Sequence, residues 1–82
     1  MHYRLIINRE PKRKLHLLPK RVRKEIGYRL YLMQEDLAGD IKKLKGASNV
    51  YRLRVGDYRV IFELEGNTVT VYDISDRKDA YR

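Results

Sequence analysis

Val50-Tyr51-Arg52-Leu53-Arg54-Val55-Gly56-Asp57-Tyr58-Arg59-Val60-Ile61-Phe62-Glu63-Leu64 is the stretch that decides the fold. Apolar and charged side chains alternate on both sides of Gly56-Asp57, the pattern of two half-buried strands joined by a turn. Gly at the first central position suits a two-residue type II′ hairpin turn, whose twist matches the flanking strands. Such a turn fixes the register by counting: Val55 opposes Tyr58, Arg54 opposes Arg59 and Leu53 opposes Val60. Gly66-Asn67 repeats the device, sets Leu64 against Val69 and makes residues 69–75 a third strand. Leu53, Val60, Phe62, Leu64, Val69 and Val71 then share a face that needs a cover. Arg52, Arg54, Arg59, Ile61 and Glu63 share the other.

Working back toward the N-terminus, Tyr3-Arg4-Leu5-Ile6-Ile7 is short and rich in β-formers and reads as a strand. Pro11 fits the first turn of a helix running to residue 18. Pro19 punctuates and opens a second helix. Val22, Ile26, Leu30, Met33 and Leu37 recur at helical spacing, which predicts a helix over residues 20–36. Leu15 and Leu18 give the first helix a matching face. Gly39-Asp40 closes the region, and residues 42–49 read as a connecting loop. The expected fold class is α+β, in the order β-α-α-β-β-β. It is a mostly antiparallel four-stranded sheet with a helical hairpin packed on one face. At 82 residues, the chain is expected to form one domain over 1–82.

Lys and Arg number 19 against 11 Asp and Glu, a net charge of +8. The imbalance is local: residues 1–24 carry nine basic side chains against Glu10 alone, and the rest balances to zero. An anionic partner is implied, nucleic acid first and an acidic protein second. No apolar run is long enough for a membrane span, and no signal-peptide core follows Met1, so a cytoplasmic protein is expected. The absence of Cys removes disulfides, thiolate nucleophiles and cysteine zinc sites. His2 and His16 are too few for a histidine metal centre, and no cofactor is expected.

Arg54 directly across from Arg59 sets like charges side by side, which is unfavourable in an antiparallel pair. Arg52 adds a third guanidinium two residues along. The arrangement becomes sensible if an anion sits between the arginines, because guanidinium forks match phosphate oxygens. The alternative is a solvated face, or pairing with acids such as Glu63. Arg77 and Tyr81 follow the last strand and can close over the same surface. The basic stretch 12–24 is either a solvated helix face or a docking surface for nucleic acid. Tyr3, Tyr28, Tyr31 and Tyr58 read as packing at the edge of the core, and Tyr81 as a stacking or proton-handling group. His16 is expected at the surface. Asp73, Asp76 and Asp79 either cluster around a metal or pair with Arg77 and Lys78.

Residues 51–64, preceded by Leu44-Lys45-Gly46, resemble the signature of RelE toxins. Residues 69–74, followed by Asp76-Arg77-Lys78-Asp79-Ala80-Tyr81, are similar to the last strand and Arg…Tyr tail of that family. The opening strand, the helical hairpin and the Leu18-Pro19 break match as well, so the chain resembles the RelE/ParE superfamily over nearly its whole length.

The resemblance implies a type II toxin that enters the ribosomal A site and cleaves mRNA, an endoribonuclease that inhibits translation. Carried over by motif, it implies Arg59, Arg77 and Tyr81 as catalytic residues and Arg52, Arg54 and Lys45 as RNA-binding residues. It further implies a cognate acidic RelB-like antitoxin and contact with ribosomal RNA. Relatives often carry lysine where Arg52 and Arg54 stand. By strand parity, Glu63 is a candidate general base on the same face. A ParE-like toxin that binds DNA gyrase and cuts no RNA is the alternative, and a non-catalytic RNA- or antitoxin-binding module is a third.

Overall fold

A computed structural model of the chain describes residues 2–44, 46 and 49–76. Its elements run β1 (Arg4–Ile7), α1 (Arg9–Leu17), α2 (Lys20–Asp36), β2 (Asp40–Lys43), β3 (Val50–Val55), β4 (Tyr58–Glu65) and β5 (Thr68–Asp76). The two helices have local causes. Pro11 occupies the first turn of α1, where its missing N–H would lack an intrahelical partner anyway. Leu18 precedes Pro19 and is driven into the extended region, φ −77° and ψ 153°, so α1 ends at Leu17. α2 then starts directly behind Pro19 and buries Ile26, Leu30 and Met33. It stops where Leu37 turns left-handed, φ 53°, with its N–H on the Met33 carbonyl at 2.7 Å.

The sheet has five strands in the order β1-β5-β4-β3-β2, with β1 parallel to β5 and the other three pairings antiparallel. The expected four-stranded sheet therefore gains a strand. Residues 40–43, Asp-Ile-Lys-Lys, lie within the stretch read as helix terminus and loop, but they pair with β3. Only Ile41, opposite Leu53, carries an apolar signal. Charged side chains, lysine above all, are what keep an exposed edge strand from recruiting another chain. The polarity that hides β2 from a hydrophobic pattern is the polarity its position demands.

The two hairpin registers follow the turns. Val55 pairs with Tyr58, Arg54 with Arg59, Leu53 with Val60, and Leu64 with Val69. Gly56 and Gly66 have φ of 58° and 60°, whereas neither Asp57 nor Asn67 has positive φ, as a type II′ turn requires. One irregularity matters. Ile61 pairs with Asp73 but Phe62 pairs with Val71, leaving Tyr72 as the extra residue of a β-bulge. The bulge resets the alternation of β5, so that Val69, Val71 and Ile74 are all buried despite their mixed parity.

The core packs Ile26, Leu30 and Met33 of α2 against Leu53, Val55, Val60, Phe62, Val69, Val71 and Ile74 of the sheet. Leu15, Leu18 and Val22 of the helices pack on it from the same side. Phe62 is fully buried, and the Tyr51 ring stacks on it with centroids 5.6 Å apart. Tyr3 and Tyr58 also pack against the core, as expected, but Tyr28 and Tyr31 are exposed on α2. Among the described residues, no helix is long and apolar enough to cross a membrane.

Two glycines give a paired stability test. Gly39 has φ 136°, and a Cβ there would fall 2.8 Å from Leu53 Cδ1. Gly39→Ala should destabilise by about 1–3 kcal/mol through backbone strain and overpacking. Gly27 is mid-helix with open space around it, so Gly27→Ala should stabilise by about 0.5–1 kcal/mol. Urea denaturation of both variants should give shifts of opposite sign.

Candidate nucleic-acid interface

The helices cover one face of the sheet and leave the other open. Two cross-strand rows run over that open face. One is Asp40, Arg54, Arg59 and Ser75 on β2, β3, β4 and β5, and the other is Lys42, Arg52 and Ile61 on β2, β3 and β4. Neighbouring strands lie about 4.8 Å apart, and rows two residues apart are separated by about 6.6 Å. The backbones carrying Arg52, Arg54 and Arg59 are thus within reach of a single anion for side chains as long as arginine.

The closing pair of a two-residue hairpin is hydrogen-bonded, which makes the next pair, Arg54 and Arg59, a non-hydrogen-bonded one with Cα atoms about 4.5 Å apart. Two like charges at about 4 Å repel by about 1 kcal/mol in bulk water and by several times that at a partly buried site. Arg54 is exposed, whereas Arg59 is half-buried and is not without a partner inside the protein. Arg52 is largely enclosed, with 16% of its side chain exposed. Its Nη2 donates to Asp40 Oδ1 at 3.4 Å, and its Nε is buried with no partner among the described residues.

Asp40 is therefore an acid that meets Arg52 on this face, where Glu63 was the one expected. Glu63 is engaged elsewhere: the Tyr72 hydroxyl donates to its carboxylate. The Tyr72 pKa is raised above its ordinary 10.0 by partial desolvation, by the Glu63 charge and hydrogen bond, and by Glu65. Glu63 also lies four residues along β4 from Arg59, about 13 Å at the rise of a strand. It shares the face but not the site.

Of the expected site residues, Arg52, Arg54 and Arg59 come together on the open face, while Lys45, Arg77 and Tyr81 lie outside the described residues. Asp79 does as well, as do Arg77 and Lys78, the expected partners of the aspartates; Asp73 pairs with Lys14 of α1 at 2.7 Å. Asp40, Lys42, Ser75 and Tyr72 join the face without having been expected there. Only the broken alternation of Tyr72-Asp73-Ile74 signals any of them in the sequence. The basic stretch 12–24 and the exposed His16 belong to the helices, which pack on the core side of the sheet. The chain thus presents two separate basic surfaces.

Comparison with known proteins agrees with this arrangement. Residues 3–81 match the family described as the ParE toxin of the type II toxin–antitoxin system parDE. Toxin RelE3 of Methanocaldococcus jannaschii is 48% identical over 46 residues, 56% of this chain and 52% of that protein. The chain spans about half the length of the curated relatives it matches. Among solved structures, the RelB–RelE antitoxin–toxin complex of Methanococcus jannaschii matches with a TM-score of 0.79 and 30% identity. That match covers 93% of this chain and 94% of the other. The archaeal RelE–RelB complex of Pyrococcus horikoshii matches with a TM-score of 0.81 and 26% identity, covering 94% and 97%. With a five-stranded mixed sheet, a helical hairpin on one side and arginines on the other, the chain belongs to the RelE/ParE family of type II toxins.

Proposed function

We propose that this chain is the toxin of a RelBE-type pair and acts as a ribosome-dependent endoribonuclease on mRNA. The observation that carries the reading is the placement of Arg52, Arg54 and Arg59 in two adjacent rows of one uncovered sheet face. Three guanidinium groups there make a cradle for a phosphodiester. In the reaction, the ribose 2′-oxygen attacks phosphorus as the bond to the 5′-oxygen breaks, leaving a 2′,3′-cyclic phosphate and a 5′-hydroxyl. Arg59, with Arg77 from the tail, holds the phosphate and offsets the negative charge that grows in the transition state. Arg52 and Arg54 hold the backbone on either side, and the family motif assigns Lys45 the same role. Tyr81 aligns a base or assists proton transfer.

Arginine stays protonated at working pH and cannot serve as the base. Glu63 is too distant from Arg59 to take the 2′-proton. Acceleration must then come chiefly from fixing the 2′-hydroxyl in line. A ribosome that holds mRNA splayed in the A site supplies that geometry, which free RNA lacks. An acidic antitoxin is the proposed partner. The groove lined by Lys14, Leu17, Leu18, Tyr58, Ile74, Ser75 and Asp76 suits an amphipathic segment of that antitoxin. The family match under the ParE name keeps one second reading, a gyrase inhibitor that leaves RNA intact.

Added to a translating extract, the protein should produce codon-phased mRNA ends in primer extension. Intact mRNA with inhibited supercoiling would instead favour the gyrase reading. Arg59→Ala and Arg77→Ala should each reduce cleavage by about 10²–10³-fold, the scale of one lost transition-state donor. Retained cleavage by either folded variant would remove that residue from the site. Glu63→Gln should leave cleavage unchanged and bring the Tyr72 pKa down toward 10.0, as read from its ring carbon resonances. The sign also fixes the stability profile. A raised folded-state pKa contributes stability that is complete below pH 10 and declines as pH rises through the Tyr72 value. Leu17→Asp should abolish rescue of growth by a co-expressed acidic antitoxin without slowing cleavage.

A further inference from the structure

β2 brings two charged side chains onto the open face beside the arginines. Lys42 opposes Arg52 and Asp40 opposes Arg54. Lys42, Lys43, Leu44 and Arg52 line a recess at this edge of the sheet. Among the described residues, the Lys42 side chain has neither a hydrogen bond nor an ion pair. The Arg52 Nε–H is closed off in the interior, and its Nη2 is met by one Asp40 oxygen at 3.4 Å. The outer edge of a guanidinium, between its two Nη groups, can be met by two oxygens, and Asp40 supplies one at the limit of a hydrogen bond. A phosphodiester offers two such oxygens with a negative charge between them, and the Lys42 ammonium can take the same group from the other side.

We infer that Lys42 and Arg52 form a backbone-phosphate subsite for single-stranded RNA, flanking the scissile position, with Asp40 as its internal competitor. The inference rests on the reading of this face as an RNA-binding surface and adds a strand to it. Lys42 lies two strands and two residues from Arg59, about 12 Å across the sheet. The subsite therefore takes a neighbouring phosphate. Asp40 keeps Arg52 oriented while the site is empty and is displaced when the phosphate arrives. Binding is weaker by that exchange.

The test measures anisotropy of a short, labelled, fully 2′-O-methylated RNA, which binds but cannot be cleaved, over a range of salt concentrations. Lys42→Ala should weaken binding and reduce the slope of log affinity against log salt by about 0.7, one phosphate contact on a single strand. Arg29→Ala, the same charge change on exposed α2 outside the basic stretch 12–24, should leave the slope unchanged. Asp40→Asn should tighten binding by up to about fivefold, the yield of one exposed ion pair. Glu25→Gln, its charge-matched control on α2, should not. Circular dichroism verifies the fold of each variant. If Lys42→Ala behaves as Arg29→Ala, or Asp40→Asn as Glu25→Gln, the subsite is overturned. Arg59→Ala separates the two levels. Should it lose binding while Lys42→Ala does not, the subsite alone falls; should it too match Arg29→Ala, RNA binding by this face falls with it.

Discussion

The pairing of β3 with β4 through the Gly56-Asp57 turn sorts every side chain of the hairpin at once. In this register Leu53, Val60 and Phe62 go beneath the helices, and Arg52, Arg54 and Arg59 go to the open side. Because side chains alternate with a period of two, a slip of one residue on either strand would exchange its two sets. The slipped state would place guanidinium groups in the core, where an unpaired charge costs several kcal/mol. It would also expose apolar side chains worth about 1.5–3 kcal/mol each when buried. The penalty falls on both faces together, so a turn of two residues is enough to hold the arrangement. Burial thus enforces the display of the arginines.

That display carries its own cost. Arg54 and Arg59 are like charges set side by side across the hairpin. Asp40 reaches Arg52 at the edge of the reach of a hydrogen bond, from a side chain that is 58% exposed. An exposed contact of that length contributes little to stability. Asp40 stands on the edge strand, while Glu63, which strand parity puts on the same face, lies beside Tyr72. An anion bound between the arginines would offset the repulsion of Arg54 and Arg59.

Where the hydrophobic pattern was strong, the structure was legible from the residues. The α2 stripe from Val22 to Leu37, the Leu18-Pro19 break and both hairpin registers follow from spacing and turn chemistry. Three features escaped for physical reasons. β2 is an edge strand whose solubility requires the charge that erases its pattern, with Ile41 its only inward anchor. The bulge at Tyr72 shows in sequence only as a gap of three between Val71 and Ile74, which by itself reads equally as the end of a strand. Tyr28 and Tyr31 have the composition of core-edge residues but fall on the outer arc of α2, two and five residues beyond Ile26. Of the site, the three strand arginines were fixed by parity alone. Their acidic neighbour was not, because Asp40 reaches them through the strand that could not be seen.

The bulge ties these observations together. Without it, β5 would keep a strict alternation from Val69 onward, Ile74 would leave the core, and Ser75 would turn toward the helices. With it, Ile74 is buried beside Val60, and Ser75 stands opposite Arg59 on the open face. One inserted residue therefore lets the same strand close the core at both ends and furnish a small polar neighbour for the central arginine. The geometry of the arginine face is then set from two directions, by a turn that fixes which residues point outward and by a bulge that sets a small residue opposite Arg59.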